Sequence, residues 1–101
     1  MKKNYISGIT TLGYKWKIDA DTLKDFFFLK ALKKMGNDDP LTMLDGIEEV
    51  VSVLFNDTKK EEEFYKFLAS KNGGRVPSNV LMAEVKDIIT GLKEDKEIKN
   101  S

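Results

Sequence analysis

The carboxylates are the first group of side chains in this sequence whose spacing could indicate chemistry. Asp38 and Asp39, with Asp45 further on, offer the oxygen ligands that Ca²⁺ or Mg²⁺ prefers. Their spacing matches no EF-hand loop, however, and a turn followed by a capped helix accounts for the same residues. We therefore predict no metal site here.

Glutamates form two further groups, Glu48–Glu49 and Glu61–Glu63, that could be considered as paired catalytic carboxylates. Neither group has a convergent partner in the sequence, and both are typical of solvated helix faces or of first helical turns. The chain has no histidine to activate a serine and no cysteine. We predict no catalytic residue and no cofactor, and hence a protein that is not an enzyme.

Binding to nucleic acid is disfavoured by the charge balance, since 17 basic residues face 17 acidic residues. Arg75 is the only arginine, and the basic candidates are Lys2–Lys3 and Lys33–Lys34. The alternative function is a small helical nucleic-acid-binding regulator. The predicted fourth helix of this chain, however, offers little beyond Asn79 and Lys86 for reading bases.

The length of 101 residues predicts a single domain, ordered over about residues 5–92, with a flexible polar tail over 93–101. The absence of cysteine favours a reducing compartment. No apolar run approaches the roughly 20 residues of a membrane span or resembles a signal peptide. We expect a soluble cytoplasmic protein that does not bind membranes.

Residue patterns predict a short β strand or hairpin followed by four helices. The β element lies within 5–18, where Tyr14, Trp16 and Ile18 alternate with lysines. A first helix is expected from about Ala20 to Gly36, capped by Asp19 or Asp21. The fold class is therefore mainly α, a small orthogonal bundle of about four helices with an N-terminal β strand or hairpin.

Later helix boundaries carry clearer signals. Asp39 and Pro40 predict the start of a second helix that ends near Phe55, and Gly46 within it suggests a close helix crossing. Asp57 or Thr58 caps the third helix, which stops at 72–74, and the fourth opens at 77–78. The successive aromatics Phe26–Phe28 cannot all face one way in a helix.

Aromatic residues are the best candidates for a protein-binding surface, because they dominate the energetics of interfaces. Our hypothesis for the contact group is Trp16, Phe27 and Phe28. A charged residue at position 28 is then expected to abolish binding and to leave helicity intact. A loss of helicity would instead place Phe28 in the core.

Six segments spanning roughly residues 10–92 resemble the tail assembly chaperones of long-tailed phages and prophages of Gram-positive bacteria. They are GYKWKID, TLKDFFFLKAL, DDPLTML, GIEEVVSVLF, GGRVP and LMAEVKDII. The lysine content, including the basic start, differs from what we expect of the family.

The resemblance implies a short helical domain, without enzymatic activity or cofactor, in the cytoplasm of a bacterial host. Its partner would be the hydrophobic tape measure protein, kept soluble while tail tube subunits assemble around it, and the tail tube protein is a second expected partner. Many members of the family also have a longer frameshifted form. The oligomeric state is left open, with a homo-oligomer among the alternatives.

Overall fold

A β hairpin and four α-helices make up the described part of the chain. The computed structural model describes the backbone of residues 4–100 and the side chains of residues 4–94. In chain order the elements are β1 (Tyr5–Ile9), β2 (Lys15–Asp19), a 3₁₀ helix (Ala20–Lys24), α1 (Phe26–Met35), α2 (Pro40–Phe55), α3 (Thr58–Lys71) and α4 (Ser78–Asn100). The predicted class, mainly α with a short N-terminal β element, is confirmed. The tail predicted over 93–101 lies mostly outside the described side chains and stays a prediction.

The β element is an antiparallel hairpin in which Gly8 lies opposite Trp16. Because side chains alternate between the two faces of a strand, Ile6, Trp16 and Ile18 lie on the inner face, against the helices. Lys15 and Lys17 of β2 face outward. The sequence left a strand and a hairpin as alternatives, and the structure has the hairpin.

The turn of the hairpin is bound to α4 by two carboxylates. Thr11 donates from its backbone N–H and its hydroxyl to Asp87 Oδ2, at 2.8 and 2.5 Å. The N–H of Leu12 donates to Oε2 of the buried Glu84 at 3.3 Å. Because a two-stranded hairpin is marginal in water by itself, these contacts help to hold it on the bundle.

Aspartates begin the first three α-helices. Each has an extended backbone, and its side chain accepts from N–H groups that the first turn leaves unpaired; these caps are Asp25, Asp39 and Asp57. Asp39 caps α2 and Pro40 is its first residue, which confirms the predicted start. Of the two caps considered for α3, the structure has Asp57. At the far end of α3, Gly73 and Gly74 have positive φ, as expected of a helix stop.

The prediction of one helix from Ala20 to Gly36 was wrong. Asp19 caps only the 3₁₀ helix, by accepting from the N–H of Asp21, and the backbone of Asp25 is extended, with φ −69° and ψ 134°. Asp25 then accepts from Phe27 N–H and Phe28 N–H and starts α1. The second cap breaks the segment because its extended backbone cannot continue a helix.

A close crossing of α1 and α2 at Gly46 confirms the expectation from the sequence. A side-chain carbon at position 46 would overlap the backbone of Lys34 and Met35. The helices are further joined by an ion pair, Lys34 Nζ to Glu49 Oε2 at 2.7 Å. The hydrogen bond that Lys34 donates to Glu49 raises the pKa of Lys34.

The core lies between the hairpin and the four helices. Its largest fully buried side chains come from every α-helix and from β2: Phe28, Phe64, Ile18, Ile47, Leu68, Ile88, Leu92, Val50, Val51 and Val85. One contiguous cluster contains all of them, so the bundle and the hairpin pack around a single core.

Gly46→Ala should lower the free energy of unfolding by about 2 kcal/mol or more, because overlap with the α1 backbone outweighs the roughly 1 kcal/mol that alanine adds to helix propensity. Urea denaturation followed by circular dichroism measures the change. Gly36→Ala is the matched control, since its nearest contact is the Lys33 carbonyl oxygen at 3.7 Å. Equal stability of the two variants would contradict the close crossing.

Candidate protein-binding surface

The three residues predicted to form the contact group do not lie on one surface. Trp16 is 5% exposed and Phe28 is 1% exposed, whereas Phe27 is 66% exposed. The hypothesis is therefore corrected: Trp16 and Phe28 belong to the core, and only Phe27 is accessible to a partner. Trp16 is buried by its place on the inner face of β2, and Phe28 by the cap that sets the start of α1.

Two neighbours of Phe27 that the hypothesis omitted are also exposed. Phe26 is 68% exposed and Leu29 is 50% exposed. The rings of Phe26 and Phe27 meet edge to face, with centroids 5.4 Å apart. Leu29 follows Phe26 by three residues and so lies beside it on the helix surface. We call these three residues the aromatic patch.

The Asp25 cap explains the orientation of the aromatic patch. By fixing the first helical residue, it directs Phe28 into the core, and helical geometry then turns Phe26 and Phe27 outward by about 100° per residue. The sequence carried a signal for this arrangement, because three successive aromatics cannot share one buried face. It did not show which of the three is buried.

Lysines surround the aromatic patch: Lys24, Lys30 and Lys33 are all exposed on or next to α1. The first turn of α1 contains no acidic residue. The surface therefore combines apolar rings with the positive charge of α1, although on the side of Phe27 it adjoins a groove that contains Asp21 and Asp25. The lysines of α1 suit an apolar segment flanked by acidic residues.

The remaining candidate residues have structural roles or separate positions. Asp39 accepts from the N–H and the hydroxyl of Thr42, at 3.1 and 2.8 Å, as a helix cap. Among the described residues, no group of three acidic residues, histidines or cysteines could hold a metal ion. Lys34 is paired with Glu49, and Lys2–Lys3 lie outside the described residues.

A group of carboxylates lies where α2 meets α3. Glu48 and Glu61 flank the half-buried Tyr65, and together with its burial they raise the pKa of this tyrosine to about 12 from 10.0. Burial comes first among these causes. The phenol therefore stays protonated at all ordinary pH values.

No protein-family model, no curated protein and no solved structure matches the chain. Within the described residues, no helix has the length and apolar character needed to cross a membrane.

Phe28→Glu should lower the free energy of unfolding by at least about 3 kcal/mol, because it removes a buried ring and places a charge in the core. Phe27→Glu is the matched control and should change stability by less than about 0.5 kcal/mol, since the new carboxylate is exposed in a first helical turn. Urea denaturation of both variants measures this. Comparable loss in the two variants would contradict the assigned orientations.

Tyr65 should make stability fall at high pH. Its folded pKa of about 12 exceeds the ordinary value of 10.0, so its contribution is complete below about pH 10 and disappears as the pH rises toward 12. Tyr65→Phe should remove part of this loss, on the order of 1 kcal/mol at about pH 11. Urea denaturation at pH 8 and 11 measures it. An unchanged pH dependence in the variant would refute the assignment.

Proposed function

We propose that the protein is a phage tail assembly chaperone that binds an apolar helical stretch of the tape measure protein through the aromatic patch. The observation that supports it best is the exposure of two phenylalanines, packed edge to face, and a leucine on one helix. The family resemblance of the sequence supports it as well. Exposed apolar groups of this kind are a common feature of protein-binding surfaces.

Binding would bury the apolar side of a client helix against Phe26, Phe27 and Leu29. The backbone that carries the rings is fixed by a capped helix, so little backbone freedom is lost on association. Lys30 and Lys33 would pair with acidic residues that flank the client's apolar stripe. The affinity of one small patch is modest, which suits a chaperone that must release its client when tail tube subunits arrive.

The mechanism needs no nucleotide hydrolysis and no cofactor. Covering an apolar helix removes its surface from water, and this lowers the concentration of aggregation-prone client in proportion to the chaperone present. A long tape measure protein offers many such stretches. Several copies of the chaperone would then bind along one client.

Co-expression with a phage tape measure protein should keep that client soluble and in a complex that co-purifies. The double variant Phe26→Glu with Phe27→Glu should reduce the co-purified client by at least about tenfold, because it replaces the apolar contact with charge. Leu41→Glu changes an equally exposed apolar residue of α2 and is the matched control, which should retain the client.

Two outcomes would contradict the proposal. An insoluble client in the presence of the unaltered protein would reject the chaperone function, and DNA binding that weakens steeply with salt would then favour the nucleic-acid regulator. Retention of client by the double variant, with loss in Leu41→Glu, would reject the aromatic patch as the binding surface.

A further inference from the structure

The edge of β2 that faces away from β1 carries free backbone groups. Thr10 N–H donates to the carbonyl of Tyr14 at 2.9 Å, which makes this the first hydrogen-bonded pair of the ladder. Hydrogen-bonded and non-hydrogen-bonded pairs alternate in antiparallel strands, so Lys15 and Lys17 occupy the non-hydrogen-bonded positions. Their N–H and C=O groups point away from β1. Within the described residues, β1 is the only strand that pairs with β2.

A groove of about 710 Å³ adjoins this strand. The hairpin lines it with residues of both strands, 7–9 and 14–17, which include Lys15 and Lys17. Phe55 lines it from the end of α2, and Lys60 and Glu63 line it from the first turns of α3. We call it the β2 groove. At about 3.3 Å per residue, β2 is long enough to pair with about five residues of an extended chain.

The floor of the β2 groove is apolar and firmly packed. Tyr14 contacts three rings beneath it, with centroids 6.1 Å from Phe55, 5.0 Å from Phe64 and 5.2 Å from Phe67. Burial and the nearby Glu63 raise the pKa of the Tyr14 hydroxyl, which therefore stays protonated and able to donate. Apolar side chains on one side of an extended segment would lie on this floor.

The charge of the β2 groove is mainly positive. Lys15, Lys17 and Lys60 outnumber Glu63, the only acidic residue among those that line it. A neighbouring groove shares Lys17, Phe55 and Lys60 with it but is lined in addition by four aspartates: Asp19, Asp21, Asp25 and Asp57. Acidic residues of a ligand are therefore favoured only beside the lysines of β2 and α3.

We propose that the β2 groove binds an extended segment of a partner protein, with alternating apolar and acidic residues, as a third strand of the hairpin sheet. The segment's backbone pairs with Lys15 and Lys17, its apolar side chains lie against Tyr14 and Phe55, and its acidic side chains lie beside the lysines. A helix would leave the edge groups of β2 unpaired, because its own backbone groups are already bonded.

A second copy of this chain is a poor occupant of the β2 groove. Pairing two β2 strands would place the lysines of one copy against those of the other, and like charges on neighbouring strands are destabilising. Phe26 does not line the β2 groove, and the site does not require the proposed chaperone function. The two proposals can therefore fail separately.

The probe is a labelled synthetic peptide of about nine residues that alternates valine and glutamate. It should bind in fluorescence anisotropy and should slow hydrogen exchange at the amides of Lys15 and Lys17. A peptide of the same sequence, methylated on alternate backbone nitrogens, should bind at least about tenfold more weakly, because it cannot donate to the strand edge. Equal binding of both peptides, or no binding of either, would overturn the proposal.

Substitutions at position 17 separate backbone pairing from charge. Lys17→Thr keeps the edge N–H and should weaken binding moderately, whereas Lys17→Pro also removes that N–H and should weaken it at least about tenfold further. Tyr5→Pro is the control on the edge of β1: Tyr5 lies at the non-hydrogen-bonded position opposite Asp19 and does not line the β2 groove, so this variant should bind normally. All three substitutions leave the hydrogen bonds between β1 and β2 intact. Equal affinities of the threonine and proline variants would overturn strand addition.

Phe26→Glu distinguishes this site from the chaperone surface. Phe26 does not line the β2 groove, so the variant should bind the alternating peptide with unchanged affinity. Loss of peptide binding in this variant would contradict a site on β2.

Discussion

The burial of Trp16 between two glycines is the constraint on which the hairpin and its surfaces depend. Side-chain carbons at Gly8 of β1 or Gly91 of α4 would overlap the indole ring, and at Gly91 the nearest ring carbon would lie only 2.7 Å away. Both glycines therefore leave room that the ring fills. Because a hairpin of two short strands is marginal alone, this packing, with the carboxylates of α4 at the turn, holds it in place.

The way in which the hairpin is anchored also determines which surfaces of the molecule stay uncovered. The hairpin is attached to α4 on the β1 side and at the turn, so the outer edge of β2 lies toward the end of α2 and the start of α3 without a pairing strand. The 3₁₀ helix then leads to Asp25, which starts α1 with two rings in solvent. Both candidate binding surfaces thus follow from how the N-terminal segment is fixed to the bundle.

Much of the fold could be predicted from local signals, because caps, proline and glycine act within a few residues. Asp39 with Pro40, and the stop at Gly73 and Gly74, fall where their local chemistry requires. The break at Asp25 was missed, since Asp19 already offered a suitable cap and a continuous apolar pattern followed. The site was harder: Trp16 is buried by Gly91, which is 75 residues away, and no local pattern carries that information.

The start of α1 departs from what a first helical turn favours, and this bears on function. Acidic side chains are stabilising there, and exposed aromatic rings gain little from the fold, yet the sequence has Phe26 and Phe27 with no acidic residue in the turn. Glutamate at either position would satisfy the cap and the helix dipole equally well. When a segment is locally suboptimal while its neighbours follow the rules, binding is a physical reason for the exception. The stability of the chain therefore does not explain the two exposed rings, and this is a physical ground for proposing them as part of a binding surface.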